Sequence, residues 1–177
     1  PPQLETAPVS SPAALPSPLL TAGVDLAGHS TSWNSQPVSC ELRDEFARKG
    51  VLFGPLETLL AEHHERLRPY LAEPSIAPGY DKFSALATAY WRGGQVLFVP
   101  RGVSIPLPLH VHSVLGPDGV DLQRLVVILE DGAEATLLCE NSSSVSSSGA
   151  GVAESTKVDA GLHCGSTELR LEIGRAH

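Results

Sequence analysis

Hydrophobic positions divide the chain into a region with helical spacing and a region of short strands, and the pattern changes at Gly94. Between residues 39 and 94 apolar residues recur at intervals of three and four, as they do on one face of a helix. Ser39 is a candidate N-cap for a first helix, and Gly50 is a candidate left-handed residue at its end. Asp81 can cap a later helix. The region 39–94 is therefore predicted to be helical.

From residue 95 to residue 177 the apolar residues come in short runs separated by Gly, Pro and Asp, which predicts strands. The predicted strands are 95–99, 105–111, 125–129, 134–139 and 167–173. Two stretches, 127–133 and 169–176, resemble one another, because each runs from a strand into an acidic turn with Gly and then Ala. Such a repeat is typical of solenoid coils, which need stacked neighbours to bury their faces. We therefore expect the start of a solenoid, incomplete at residue 177.

Residues 1–38 differ from both regions in composition. They hold seven of the 15 prolines together with many Ser, Thr and Ala residues. Such a segment buries too little apolar surface to offset the entropy lost on ordering. It is predicted to be a tail or a loosely packed lead-in.

The charge and cysteine content of the chain exclude some classes of partner and of cellular compartment. A net charge of -8 with only 12 Lys and Arg argues against nucleic acid as a partner. Neither a membrane span nor a signal peptide is evident, which predicts a cytoplasmic protein with no membrane partner. Cys40, Cys139 and Cys164 are too scattered for a disulfide framework, and this fits a reducing compartment.

Two histidines are the first candidates for chemistry. His110 and His112 alternate in a predicted strand, so their imidazoles share one face, as a metal site requires. His163 and Cys164 could complete such a site from a later coil. The alternatives are ordinary half-buried strand residues, or a cupin-like metal-binding β protein that uses His110 and His112. The Glu that a cupin motif expects a few residues further on is absent.

No motif for catalysis is present in the sequence. The chain has no G-x-S-x-G, no H-E-x-x-H and no Gly-rich phosphate loop followed by Lys. Each cysteine lies in an apolar or neutral stretch without an adjacent Lys or Arg to lower its pKa. The chain is therefore not expected to be an enzyme.

One segment carries a family resemblance. Residues 81–103 read DKFSALATAYWRGGQVLFVPRGV and closely resemble the stretch DKFxALNxAxWxGGxFxYVPKGV of SufB and SufD proteins. Shorter stretches at 49–53, 56–60, 105–109, 123–128 and 130–133 are similar to the family's neighbouring motifs. The resemblance extends from about residue 40 to the end of the chain.

The resemblance implies a helical N-terminal region followed by the first coils of a right-handed parallel β-helix. It also implies a scaffold subunit for iron–sulfur cluster assembly that works with the ATPase SufC and a SufB or SufD paralogue. The family's C-terminal helices, which dock SufC, are not in this sequence. No tightly bound cofactor is expected, and iron or a cluster would be bound only transiently in the complex.

The two paralogues are distinguished by a few positions. SufB carries Glu-Gly-Cys shortly after the coil that matches 130–133, whereas here Cys139 stands two positions early without the Gly. This favours SufD. Leu162 and His163, with Glu168 further on, are instead similar to a SufB motif, so SufB stays open as the second interpretation.

Overall fold

The computed structural model describes residues 15–72, 77, 79–144 and 161–172. The described residues are mainly β, as predicted. In chain order the strands are β1 (Gly28–Trp33), β2 (Gln36–Leu42), β3 (Leu52–Pro55), β4 (Gly94–Val99), β5 (Leu109–Leu115), β6 (Val120–Asp121), β7 (Arg124–Leu129), β8 (Leu137–Ser143), β9 (Leu162–His163) and β10 (Ser166–Leu171). The helices are α1 (Asp44–Ala47), α2 (Leu56–Glu62), α3 (His64–Leu71) and α4 (Lys82–Tyr90).

The first sheet has the order β2-β1-β5-β8. Asn34 and Ser35 adopt left-handed conformations, with φ of 47° and 67°, and form the two-residue turn that pairs β2 antiparallel to β1. β1, β5 and β8 run parallel, and Leu109 pairs with Leu137 about 30 residues further along the chain. Successive passes of the chain are therefore stacked in register.

The second sheet has the order β10-β7-β4-β3. β4, β7 and β10 run parallel, with Gly94 opposite Arg124 and Arg124 opposite Ser166. β3 pairs antiparallel to β4 and forms the outer edge. A third, two-stranded sheet joins β6 and β9 in parallel. From β4 onward, the longer strands alternate in sequence between the two four-stranded sheets.

The apolar core lies between these two four-stranded sheets. Side chains of β4 and β7, such as Leu97 and Val127, pack with side chains of β5, such as Leu109. The opposite face of the second sheet is also covered, because Leu56 of α2 and Leu67 of α3 pack on its side chains. Burying a large aliphatic side chain stabilises the fold by about 1.5–3 kcal/mol, so both clusters contribute to the stability of this sheet.

No helix among the described residues is long and apolar enough to span a membrane.

Gly93 and Gly94 allow a close approach that a side chain would prevent. Both have positive φ, and a Cβ on Gly94 would lie 2.2 Å from the carbonyl oxygen of Arg124. We expect Gly94→Ala to lower the free energy of unfolding by about 2 kcal/mol, measured by urea denaturation. Gly102→Ala is the matched control, because Gly102 has a φ of 69° with no atom within 4 Å of the added Cβ. Its loss, about 1 kcal/mol, comes from a left-handed φ without a steric clash, and equal losses in the two variants would contradict the steric explanation.

The helical prediction for residues 39–94 is only partly right. Ser39 does not cap a helix, because it lies in β2 opposite Thr31, and the first helix begins at Asp44 and has four residues. The turn at Asn34 and Ser35 returns the chain onto β1, so strand pairing prevails over the local helical spacing. Residues 52–55 are also a strand rather than helix, whereas Gly50 has the predicted left-handed φ of 84°.

Further differences concern strand positions. Part of the predicted lead-in, residues 28–38, lies in β1 and β2, while residues 1–14 fall outside the described residues. The strand predicted at 105–111 is β5, which begins only at Leu109, because Pro106 and Pro108 lie in the connection before it. The strand predicted at 125–129 is confirmed as β7.

Candidate functional site

His110 and His112 lie on the outer face of the first sheet, opposite the core-facing Leu109 and Val111 of the same strand. Their rings stack with centroids 5.8 Å apart, so the predicted shared face is confirmed. Both residues are buried, with 2% exposure each. The outer face of a sheet is open to solvent unless another segment covers it. The burial of His110 and His112 therefore shows that this part of the face is covered.

Glu140 of β8 binds His110 and the segment that precedes β1. Its carboxylate accepts hydrogen bonds from His110 Nε2 at 3.2 Å and from the backbone N–H groups of Leu19 and Leu20 at 2.8 and 3.1 Å. Burial by itself would raise the pKa of Glu140, but these backbone donors and the two histidines outweigh it and lower the pKa. Glu140 is therefore ionised at neutral pH and attaches residues 19 and 20 to the sheet.

The histidines themselves are kept neutral. Burial lowers the pKa of both His110 and His112, against the opposing effect of Glu140. His112 Nε2 lies 2.7 Å from Ser142 Oγ, so its contact is a neutral hydrogen bond. His29 of β1 pairs directly with His110 across the sheet.

These side chains do not assemble into a metal site of the usual kind. Within residues 15–72, 77, 79–144 and 161–172, no group of three or more His, Cys, Asp or Glu could hold a metal ion. The structure brings His110 and His112 together, but it gives them Glu140 and Ser142 as hydrogen-bonding partners. It does not bring His163 and Cys164 to them.

His163 belongs to a second polar cluster around Asp121. The carboxylate of Asp121, which is 1% exposed, accepts from His163 Nδ1 at 2.7 Å, from Ser35 Oγ at 2.6 Å and from Gln123 Nε2 at 2.9 Å. The hydrogen bond from His163 raises the pKa of that imidazole although burial opposes the change. The cluster ties the β1–β2 turn to β6 and β9.

Cys164 lies in a third environment, a cleft of about 420 Å³ between α4 and the start of β10. Its Sγ is 3.7 Å from the carbonyl oxygen of Phe83. Glu168, also in this lining, is 4% exposed and pairs with Arg124 and Arg170. Burial raises the pKa of the other two thiols, Cys40 and Cys139.

Three central acids of these clusters, Glu140, Asp121 and Glu168, were not predicted as site residues. Glu140 follows an apolar run in β8, and a charge at an outward position of a strand is ordinarily solvated. Glu140 lies about 30 residues after His110, which is the spacing between the paired strands β5 and β8. Only this spacing could have suggested that the two residues are in contact. For Asp121 the sequence gives no comparable signal.

The fold defines the class of protein: a mainly β chain whose parallel strands form two facing sheets. Buried acids join neighbouring strands through hydrogen bonds to histidines. Comparison with known proteins shows which named proteins the sequence is similar to. Proteins named iron–sulfur cluster assembly SufBD family protein are similar to it over 61% of the chain. They include those of Staphylococcus epidermidis (33% identity over 110 residues), Staphylococcus aureus (31% over 110) and Mycobacterium tuberculosis (31% over 109).

The resemblance to the SufBD family is thereby confirmed, while these names do not distinguish SufB from SufD. The chain spans 23% of the length of the staphylococcal proteins and 13% of the mycobacterial one. No family model matches the chain.

Proposed function

We propose that the chain forms the first coils of a parallel β-helix in an iron–sulfur cluster assembly scaffold. The observation that carries the proposal is the similarity to SufBD family proteins over 61% of the chain. It agrees with the strand order, because β4, β5, β7, β8 and β10 alternate between the two sheets in sequence. Each pass of the chain thus contributes one strand to each sheet, as a coil of a β-helix does.

The edge strand β10 supports further stacking on these coils. Leu169 and Leu171 pair in register with Val127 and Leu129, which lie in or against the core between the sheets. Yet Leu169 and Leu171 are 62% and 60% exposed among the described residues. An apolar strand edge of this kind fits another coil better than it fits water.

The function of such a subunit is architectural rather than catalytic. We propose a SufD-like protein of the cytoplasm that acts with a SufC-type ATPase and a SufB-type paralogue. Cys139, which stands without a preceding Gly, supports SufD over SufB. Iron or a cluster would be cargo of the assembled complex, held transiently, and not a resident cofactor of this chain.

Co-purification tests the scaffold proposal. The full-length protein, tagged and expressed with its SufC-type and SufB-type companions, is expected to elute as one complex that carries iron and acid-labile sulfide when isolated anaerobically. The full-length protein expressed alone is the control and should carry far less iron. A full-length, folded protein that elutes without either companion would contradict the proposal.

The β-helix part of the proposal has its own test. Leu171→Asp in the full-length protein should lower the yield of folded protein, because it places a charge where the next coil would pack. Val38→Asp is the matched control, since Val38 is an apolar residue of the exposed strand β2, is 46% exposed and is expected to tolerate the charge. Equal yields of the two variants would argue against a coil on β10.

A further inference from the structure

The segment before β1 lies against the face of the first sheet that carries His110 and His112. This segment, residues 15–26, which we call the strap, is held there because its backbone N–H groups at residues 19 and 20 bind the carboxylate of Glu140. His110 and His112 are each 2% exposed, so little water reaches their rings. The strap is therefore closed on a face that holds two titratable side chains.

The strap is fixed firmly at one end and weakly along the rest of its length. Where it joins β1, the N–H of the fully buried Ala27 donates to the carbonyl oxygen of Pro108 at 2.9 Å. Further upstream, among the described residues, the hydrogen bonds to Glu140 and an ion pair between Asp25 and Arg43 join it to the rest of the chain. Asp25 and Arg43 are 72% and 40% exposed, and such a pair contributes about 0–1 kcal/mol. Ala27 can therefore serve as a hinge.

The histidine pair is suited to its site only in the neutral form. The two ring centroids are 5.8 Å apart, so two imidazolium ions would repel each other. His110 Nε2 lies 3.2 Å from Glu140, whereas His112 Nε2 contacts the hydroxyl oxygen of Ser142 at 2.7 Å. A single carboxylate that already accepts two backbone N–H groups does not neutralise two buried cations.

The other titratable groups around the pair do not supply the missing negative charge. His29 of β1 lies opposite His110 on one side and opposite Glu41 of the exposed strand β2 on the other. The carboxylate of Asp25 on the strap is paired with Arg43. No metal-binding group of three or more side chains includes these histidines among the described residues, so the surrounding protein groups determine their protonation.

The direction of titration follows from this burial. Burial lowers the pKa of His110 and of His112, and the nearby charge of Glu140 opposes the change without cancelling it. A hydrated imidazole has the ordinary pKa of 6.5. Closing the strap therefore expels protons, and its stability is present above pH 6.5 and is lost as the pH falls below that value. Glu140 has a lowered pKa and stays ionised over the same range.

We propose that the strap is a proton-operated cover, closed at neutral pH and released in acid when His110 and His112 each take up a proton from solvent. Release breaks the hydrogen bonds to Glu140, turns the strap about Ala27 and hydrates both imidazolium rings. It exposes a cationic strip on the first sheet in a protein whose net charge is -8. Closure returns both protons to solvent.

Hydrogen exchange of the full-length protein between pH 7.5 and pH 5.5, followed by mass spectrometry, tests the strap. Dividing the intrinsic rate at each pH by the observed rate gives a protection factor for each segment. Two protons taken up by groups with a pKa of 6.5 favour the open state by at most about a hundredfold over this range. Protection at residues 19 and 20 should fall by at least about tenfold, while protection in β4 and β7 should fall by less than about threefold.

A double variant without titrating groups assigns the effect to the histidines. His110→Gln/His112→Gln keeps a hydrogen-bonding amide at each position, so protection at residues 19 and 20 should change by less than about threefold over the same range. His64→Gln is the matched control, because the side chain of His64 is 55% exposed on α3, and it should retain the wild-type fall. A fall that persists in the double variant would overturn the proposal, and so would an equal fall in β4 and β7, since acid would then unfold the whole protein.

Two single variants keep the test decisive if the double variant does not fold. His112→Gln removes one of the two protons, so the fall at residues 19 and 20 should be at least about threefold smaller than in the wild type. Glu140→Gln keeps an oxygen acceptor and both histidines, so the fall should remain although protection is lower at each pH. An unchanged fall in His112→Gln, or a fall that Glu140→Gln abolishes, would overturn the proposal, because the histidines would then not be the switch.

Discussion

Replacing Asp121 with alanine is expected to lower the free energy of unfolding by about 3–5 kcal/mol. The carboxylate is 1% exposed and is the acceptor for Ser35, Gln123 and His163. Its removal leaves three polar groups without their acceptor at the junction of the β1–β2 turn with β6 and β9. Urea denaturation followed by circular dichroism measures the loss.

A milder substitution separates the charge of Asp121 from its shape. Asp121→Asn retains one oxygen acceptor and nearly the same volume, so it should destabilise less than alanine. If asparagine and alanine are equally destabilising, the charge is the main contribution. If asparagine is silent, the negative charge contributes nothing measurable, and the loss in the alanine variant comes from the missing oxygen acceptor and the lost volume.

The pH dependence of stability tests the same pair. Asp121 raises the pKa of His163 in the folded protein above the unfolded value of 6.5. The stabilisation is therefore complete below pH 6.5 and is lost as the pH rises through the higher folded pKa. His110 and His112 have lowered pKa values and act in the opposite sense, so the informative quantity is the difference between the wild type and His163→Gln at each pH. That difference should shrink from pH 6 to pH 8, and a constant difference would contradict the assignment.

The sequence predicts the parts of this fold that depend on local patterns of apolar and polar residues. The strand β7 and the shared face of His110 and His112 follow from which neighbouring residues are apolar, and the structure confirms both. The change of pattern at Gly94 also coincides with the start of β4. In each case the physical cause lies within a few residues of the position predicted.

The sequence-based predictions fail where the structure depends on pairing between residues that are distant in the chain. The segment around Ser39 has helical spacing, but the turn at Asn34 and Ser35 pairs it with β1. The partners of the two histidine clusters are set by the register between strands about 30 residues apart, as for Glu140 and His110. The sequence predicts a loosely packed lead-in that includes residues 19 and 20, yet their backbone N–H groups bind Glu140. No local pattern in the sequence specifies such contacts.

Two of the three buried acids, Asp121 and Glu140, perform the same physical task on different segments. Asp121 holds a turn against the third sheet, and Glu140 holds residues 19 and 20 against the first. Main-chain hydrogen bonds join neighbouring parallel strands within each sheet, while these two carboxylates bind donors outside the strands, in the turn at Ser35 and at residues 19 and 20. A buried carboxylate with several donors thus attaches segments that lie outside the strands to the sheets.

Glu140→Ala is expected to lower the free energy of unfolding by about 3 kcal/mol, because buried His110 and two backbone N–H groups lose their acceptor. The local effect should be larger than the global one. Leu19 is 83% and Leu20 is 49% exposed, so among the described contacts the hydrogen bonds to Glu140 are the main attachment of this segment. Amide exchange at these two residues should therefore quicken by at least about tenfold.

Two further variants are the controls. Glu140→Gln, which keeps an oxygen acceptor, should show a smaller change in amide exchange, and Glu41→Ala on the exposed strand β2 should show none. Unchanged exchange at residues 19 and 20 in Glu140→Ala would mean that other contacts hold the segment over the histidines.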